Sequence, residues 1–250
     1  MSHILVRKLR HGAELSPLDE AALVGAIHDG KRLAARQTVV SEGDRPRDVH
    51  VILDGFACRY KILPDGGRQI MAWLVPGDFC DLHVAILGAM DHGIATLTPS
   101  RLGTIPPADV DRLSRTSPAL SRALWWATLV DEAILREWLV TMGRRPADRQ
   151  VAHLFCELLV RLQSVGLADG NRIELPITQG DLADAAGLTA VHVNRVVQQL
   201  RADGLIDWSD RTLTVHDPRA LAEFADFRPN YLHLKGELWS GTADAALAGK

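Results

Sequence analysis

The stretch ITQGDLADAAGLTAVHVNR, residues 177–195, decides the architecture of the C-terminal third of the chain. Thr178 predicts a helix N-cap, because Asp181 three positions later can return its hydrogen bond in a capping-box arrangement. Gly187 stands where a helix has to end in a left-handed turn, a conformation that glycine adopts without steric cost. Thr189 then caps a second helix. Two short helices joined by a glycine turn have the spacing of a helix-turn-helix.

The residues that follow predict a β-hairpin. Two β-prone runs, Leu205–Trp208 and Thr212–Val215, flank a polar turn at Ser209-Asp210. A hairpin directly after the second helix is a wing. Residues 176–218 therefore predict a winged helix-turn-helix.

The apolar spacing of the second helix separates a buried face from an exposed one. Val193, Val196, Val197 and Leu200 recur at helical spacing and predict the inner face. The outward stripe lies in the N-terminal half of the helix, the part that enters the major groove of DNA in helix-turn-helix proteins. The alternative is an ordinary solvated face, which the agreement of caps, turn and wing disfavours. The candidate DNA-binding residues are Thr178, Gln179, Thr189, Ala190, Val191, His192, Asn194, Arg195 and Gln198.

The chemistry of these side chains predicts separate roles on DNA. Arg195 can bond guanine O6 and N7 together, and Asn194 or Gln198 can pair with adenine or the backbone. Val191 is apolar at a predicted exposed position, which suits contact with a thymine methyl group. Four others can hold phosphates through hydroxyl, amide or helix N-terminal donors: Thr178, Gln179, Thr189 and His192.

Residues 31–107 predict an antiparallel β structure. Short β-prone runs alternate with the turn signals Asp54-Gly55, Asp65-Gly-Gly67 and Pro76-Gly-Asp78. Many short strands at this spacing predict a small sandwich or barrel, whose plain alternative is a scaffold without a ligand. Before it, Ser16 and Pro17 predict the start of a short helix.

A long helix is predicted from Ser117 to about Thr141, with an interruption at Met142-Gly143 and a domain boundary between Gly143 and Pro146. At 1.5 Å per residue the helix reaches about 36 Å, too long to be covered by one small domain. The same helix of a second subunit is the economical partner, and coverage by the chain's own domain is the alternative. The candidate dimer residues are Leu124, Ala127, Val130, Ile134 and Trp138.

Composition restricts the class of protein. A formal net charge of -3 excludes a protein that coats nucleic acid by bulk positive charge, so DNA binding has to come from a local patch. Three scattered cysteines argue against a disulfide framework and fit a reducing cytosol. The absence of a signal peptide or membrane span predicts a cytoplasmic protein. No nucleophile-elbow, Walker or Rossmann pattern is present, so we do not expect an enzyme.

With these motifs the chain resembles the Crp/Fnr superfamily of bacterial transcription regulators over nearly its full length. The resemblance implies an α+β fold with an antiparallel, jelly-roll-like β-roll sensor domain (1–115), a dimerisation helix (116–142), a winged helix-turn-helix (143–236) and a tail (237–250). It implies a homodimer on a palindromic operator, with Val191, Asn194 and Arg195 as base readers. The family often has Glu where Val191 stands, so the operator should depart from the usual TGTGA or TTGAT half-sites. The matching stretches are Glu42–Asp44, Val51–Gly55, Pro76–Phe79, Ile177–Arg195 and Leu200–Ile206.

The residues that depart from the family pattern lie in the β-roll sensor domain, where an effector would bind. Cyclic-AMP-responsive members carry Gly-Glu where this chain has Cys80-Asp81, and an Arg-Ser or Arg-Thr pair where it has His92-Gly93. A cyclic phosphate without that Arg loses its bidentate charged partner, so cyclic AMP is not the expected effector. Iron–sulfur members need clustered cysteines, which are missing. The expected effector is an unknown small molecule or none, in a pocket drawn from Cys80, Asp81, His83, His92 and Gly93.

No cofactor and no metal site are predicted, because a lone His in a β-roll loop is usually structural. The expected partners are double-stranded DNA, a second copy of the chain and RNA polymerase, with no membrane. One alternative is a receptor module for a cyclic nucleotide or other small ligand whose helical end docks a protein; the missing Arg counts against it. A second alternative, a jelly-roll enzyme, would need a metal set that the sequence does not offer.

Overall fold

The computed structural model describes residues 2–236, so the predicted tail 237–250 lies outside the described residues. The fold is α+β, as the sequence predicts. Its helices are α1 (Ile4–Leu9), α2 (Pro17–Gly25), α3 (Val84–Leu87), α4 (Pro107–Thr116), α5 (Pro118–Arg144), α6 (Ala147–Ser164), α7 (Gln179–Ala186), α8 (Ala190–Ala202) and α9 (Pro218–Ala225), and a 3-10 turn covers Pro229–Leu232. Its strands are β1 (His28–Leu33), β2 (Thr38–Val40), β3 (Val49–Asp54), β4 (Ala57–Ile62), β5 (Arg68–Leu74), β6 (Gly93–Thr96), β7 (Ser100–Ile105), β8 (Ala168–Asp169), β9 (Arg172–Glu174), β10 (Ile206–Ser209) and β11 (Thr212–Val215).

Two antiparallel sheets form the N-terminal β-roll. One has the strand order β1-β7-β3 and the other β2-β6-β4-β5. The predicted hairpin at Asp65-Gly66-Gly67 is confirmed: it joins β4 to β5, and Gly66 has a φ of 83°. Strand β1 escapes sequence prediction because HDGKRL, residues 28–33, lacks the apolar alternation of a half-buried strand. Pairing with β7 fixes it instead.

The long helix α5 starts at Ser117–Pro118 as predicted but ends later. It runs for 27 residues through Gly143, so the interruption predicted there is wrong. A glycine in a solvent-exposed helix costs about 1 kcal/mol relative to alanine, which a long helix tolerates. Termination comes from Pro146, which disfavours helical backbone in the residue before it; Arg145 is accordingly extended, with ψ of 140°.

Helix α6 is buried along nearly its whole length, between the β-roll, α5 and the winged helix. Every residue from Gln150 to Leu162 is buried. One hydrophobic cluster continues from Trp73 in β5 through Trp138 in α5 to Leu200 in α8. The boundary predicted between Gly143 and Pro146 therefore does not separate two hydrophobic cores.

A network of buried charges crosses the same core. Arg161 on α6, only 3% exposed, donates to the carboxylates of Asp78 at 2.6 Å and Glu157 at 3.0 Å. Lys8 Nζ on α1 lies 3.0 Å from Asp78, and Glu157 accepts a hydrogen bond from Trp138 Nε1 at 3.1 Å. Because buried charges are stable only when they are paired, this network fixes α1, the turn after β5 and α6 relative to one another.

The winged helix-turn-helix contains the predicted elements. Both hydrogen bonds of the Thr178–Asp181 capping box form, and Gly187 ends α7 with a φ of 66°. Strands β10 and β11 form the wing, with Asp210 and Arg211 at positive φ in its turn. Strands β9 and β8 extend the wing sheet beyond β11.

Candidate nucleic-acid interface

Helix α8 presents the predicted polar stripe to solvent. Its inner side chains Val193, Val196, Val197 and Leu200 are buried, which fixes the rotation of the helix. On the opposite side Val191 is 72% exposed. Eight of the nine predicted DNA-binding residues are exposed and Gln179 is half-buried; the other exposed ones are Thr178, Thr189, Ala190, His192, Asn194, Arg195 and Gln198.

Hydrogen bonds connect this stripe to the preceding helix. Asn194 Nδ2 donates to Gln179 Oε1 at 3.0 Å, so a predicted base reader and a predicted phosphate contact touch each other. The Thr189 hydroxyl accepts from the His192 backbone N–H at 3.2 Å and forms the predicted N-cap. The first residue of α7 is therefore linked to the N-terminal half of α8.

Two arginines of the β-roll hold the start of α7. Arg36 and Arg68 both form ion pairs with the buried carboxylate of Asp181, and Arg68 also pairs with Asp184 at 2.7 Å. Burial opposes ionisation of Asp181, but the hydrogen bonds from Arg36, Thr178 and Arg68 outweigh it and lower its pKa. We call these four charged residues, Arg36, Arg68, Asp181 and Asp184, the interdomain clamp.

The interdomain clamp engages one of the predicted DNA-binding residues, Thr178. It also includes two arginines, Arg36 and Arg68, that the sequence does not single out. The Thr178 hydroxyl bonds Asp181 at 2.7 Å and also accepts from Arg36 at 3.3 Å, so it is already occupied within the fold. Arg36 and Arg68 meet Asp181 across 145 and 113 positions of sequence. No local pattern marks such a long-range pair.

The long helix does not present the predicted dimer face. Leu124, Val130, Ile134 and Trp138 are buried in the chain's own core, and Ala127 is half-buried. Their burial contradicts the assignment of Leu124, Val130, Ile134 and Trp138 to a partner face, whereas the assignment of Ala127 stays a prediction. The predicted helical period is correct, but the phase depends on which side the β-roll and α6 cover. The large apolar side chains that α5 leaves exposed are Trp125, Leu129, Leu135, Leu139, Val140 and Met142.

The predicted effector pocket is partly filled by the chain itself. Asp81 is fully buried and accepts two hydrogen bonds from His50, from the backbone N–H at 2.6 Å and from Nδ1 at 2.7 Å. Cys80 is also fully buried, and burial raises the pKa of its thiol. Tyr60 packs on Gly93 so closely that a Cβ there would lie 2.7 Å from the ring. Asp81 and Cys80 are thus not available to a ligand in this arrangement.

The structure does bring two of the five pocket residues together. The rings of His83 and His92 lie 5.5 Å apart between centroids. Near them, the Arg59 guanidinium donates to the carbonyls of Phe79 and Cys80 and to the carboxylate of Asp131 on α5. Sequence reasoning singles out both histidines but not Arg59.

Comparison with known proteins assigns both halves of the chain. Residues 149–224 match the model of a Crp-like helix-turn-helix domain, and residues 30–117 match that of a cyclic nucleotide-binding domain. The nitrogen fixation regulation protein FixK of Bradyrhizobium diazoefficiens is 30% identical over 219 residues, which cover 87% of this chain and 91% of FixK.

The chain belongs to the Crp/Fnr family. It is a DNA-binding transcription regulator of that family. The transcriptional activator protein FnrL of Cereibacter sphaeroides is 28% identical over 203 residues, covering 79% of this chain and 81% of FnrL. The solved structure of FixK2 from Bradyrhizobium japonicum has the same fold, with a TM-score of 0.70 at 22% identity over 79% of this chain and 96% of that one. Within residues 2–236, no helix has the length and apolarity to cross a bilayer.

This Crp/Fnr member differs from cyclic-AMP-responsive members at the positions where they hold their ligand. Asp81, where cyclic-AMP-responsive members carry Glu, accepts hydrogen bonds from the backbone and the ring of His50. His92 stands where the resemblance expects the arginine that would hold the cyclic phosphate. Arg59 nearby is engaged with Asp131 and two carbonyls. The β-roll is of the cyclic-nucleotide-binding type, and Asp81 and Arg59 make hydrogen bonds within the chain.

Proposed function

We infer that this chain acts as a homodimer that binds a palindromic operator through α8 and regulates transcription from it. The observation that carries this inference is the exposed stripe of α8 over a buried valine–leucine face. In that orientation Arg195 suits bidentate bonding to guanine, Asn194 and Gln198 suit adenine or the backbone, and Val191 suits a thymine methyl group. The backbone N–H groups that begin α7 and α8 suit phosphates.

The exposed apolar face of α5 supports the dimer. Trp125, Leu135, Leu139 and Met142 follow one another at intervals of ten, four and three residues, which places them on one side of the helix in a heptad pattern. Trp125 is 62% exposed and Leu139 is 69% exposed. Contact between such large apolar side chains and water is unfavourable, so a patch of them usually marks an interaction surface. The same α5 face of a second copy, packed about a two-fold axis, is complementary by symmetry. Two recognition helices so related would contact half-sites about 34 Å apart.

Operator selection tests this function. Binding sites are selected from a random DNA library, and the affinity for the selected duplex and a scrambled one is measured by gel shift at two salt concentrations. We expect Arg195→Ala to reduce discrimination at one base pair per half-site by about 1–3 kcal/mol.

Arg201→Ala is the matched control, because Arg201 is an exposed arginine at the other end of α8. It should alter affinity for both duplexes equally. If Arg195→Ala discriminates between the selected and the scrambled duplex as well as the unmodified protein does, then α8 is not the helix that contacts the bases. No sequence-specific retention in the unmodified protein would favour the alternative, a receptor module that docks a protein.

A further inference from the structure

Two histidines in the β-roll occupy the two ends of one short segment. His83 lies immediately before α3, and His92 lies immediately before β6. Eight residues, 84–91, separate them in sequence, yet their rings are neighbours in space. Asp91 is next to His92 and its side chain is 84% exposed. We call His83, Asp91 and His92 the histidine cluster.

Each histidine of the cluster has a buried ring nitrogen without a partner. Nε2 of His83 and Nε2 of His92 both lack a hydrogen bond, although neither atom reaches solvent. Leaving a buried polar atom unpaired costs about 1–3 kcal/mol, and such atoms are rare in folded proteins. Two of them at one place point to a site that binds a further group.

The remaining nitrogen of His92 is oriented as in metal-bound histidines. His92 Nδ1 lies 2.6 Å from Asp91 Oδ1. A carboxylate at that nitrogen keeps the proton on Nδ1 and directs the lone pair of Nε2 outward, the arrangement that supports metal ligation.

We propose that His83 and His92 bind a divalent first-row transition metal ion through their Nε2 atoms, with Asp91 orienting the His92 ring, and zinc is the probe. One nitrogen or oxygen atom from each of the three residues lies within 4.8 Å of the others, so the cluster is compact. Ligand atoms in a tetrahedral zinc site with bonds of about 2.0–2.1 Å are about 3.4 Å apart, so small side-chain movements bring the two imidazoles onto one ion. Two imidazoles suit zinc and leave the remaining coordination positions open for further ligands.

A metal ion bound at this cluster would hold the two ends of the segment 84–91 together. That segment carries α3, in which Ile86 is 85% and Leu87 72% exposed. Upstream of His83, the carbonyls of Phe79 and Cys80 accept from Arg59, which also bonds Asp131 on α5. A change in the position of His83 can therefore reach α5 through a short chain of polar contacts. This regulatory consequence rests on the proposed function, whereas metal binding does not.

Metal binding is tested on the full chain, purified without an affinity tag and stripped with a chelator. After dialysis against Zn²⁺, we expect one equivalent of zinc in the unmodified protein, and Co²⁺ should give the visible absorption of a site with nitrogen ligands. His83→Gln and His92→Gln should each lose the bound equivalent. Asp91→Asn changes an exposed side chain, leaves the core intact and should weaken zinc binding about 10–100-fold.

His28→Gln is the matched control, because His28 is an exposed histidine of the same β-roll. It should bind zinc as the unmodified protein does. Equal zinc content in all five proteins would mean adventitious binding elsewhere, and no zinc in the unmodified protein would mean no site; either result overturns the proposal. Circular dichroism spectra are compared for the unmodified protein and the four variants. If the spectra match, a variant that binds no zinc has lost a metal ligand and has not unfolded.

The regulatory consequence has its own measurement. Operator affinity is compared with and without one equivalent of zinc in the unmodified protein and in Asp91→Asn. A zinc-dependent change of fivefold or more that Asp91→Asn abolishes supports coupling to α5, and an unchanged affinity refutes coupling. Failure to select any operator would refute the proposed function, whereas the zinc stoichiometry would still decide whether the histidine cluster binds metal.

Discussion

Replacement of Arg161 by methionine is the most informative perturbation of the core. Arg161→Met keeps most of the side-chain volume and removes the guanidinium that pairs with Asp78 and Glu157 and donates to the Trp73 carbonyl at 2.9 Å. Asp78 would keep Lys8, but Glu157 would keep only neutral donors, from Trp138 and from the Tyr231 hydroxyl at 2.9 Å.

The magnitude follows from burial. Both carboxylates are almost fully inaccessible, so removing their shared partner leaves charge in a medium that solvates it poorly. Breaking a buried ion pair from one side typically costs 3–5 kcal/mol, so we expect Arg161→Met to lower the free energy of unfolding by about that amount. For a chain of this size, that corresponds to a fall in Tm of roughly 6–20 °C.

Urea unfolding followed by circular dichroism measures the effect. The matched control is Arg149→Met, which removes another ion pair, with Asp226, between side chains that are 44% and 61% exposed. Exposed pairs contribute about 0–1 kcal/mol, so the control should be nearly neutral. A loss below about 1 kcal/mol in Arg161→Met would refute the reasoning, because it would mean that Asp78 and Glu157 are solvated or paired in some other way.

Two further measurements address the dimer and acid stability. Leu139→Glu places a charge on the exposed apolar face of α5 and should convert the proposed dimer to a monomer in sedimentation velocity. Leu18→Glu, at an exposed leucine on α2, is the control and should leave the dimer intact. A dimeric Leu139→Glu protein would exclude this face of α5 as the interface. Burial of Asp78 opposes ionisation, but Lys8 and Arg161 prevail and lower its pKa from 3.8 to about 2. Its folded pKa is below its unfolded pKa, so the stability that it contributes is present above about pH 4 and is lost as the pH falls toward 2. Between these limits the unmodified protein should lose about 2 kcal/mol more than Asp78→Asn does, and parallel acid curves would contradict the role given to Lys8 and Arg161.

Local sequence is sufficient for the DNA-binding end because its determinants are near neighbours. Thr178, Asp181 and Gly187 settle where α7 begins and ends through hydrogen bonds and a backbone conformation that span a few residues. The valines of α8 settle which side faces inward. The same logic locates the β4–β5 hairpin and the start of α5, where a turn or cap is encoded by adjacent residues.

The sequence by itself therefore determined the outward stripe of α8, which depends on local periodicity, capping and turn chemistry. Its resemblance to the Crp/Fnr superfamily implied the family and the α+β class. Tertiary structure alone decided which face of α5 stays exposed, because burial of Ile134 and Trp138 depends on the β-roll and α6 rather than on the helix's own pattern. It alone decided the interdomain clamp, because Arg36 and Arg68 reach Asp181 across 145 and 113 positions of sequence. It also decided that the rings of His83 and His92 meet, because that contact depends on how the segment 84–91 folds back. For α5, therefore, the apolar pattern gives the helical period, and the β-roll and α6 decide which side of the helix is buried.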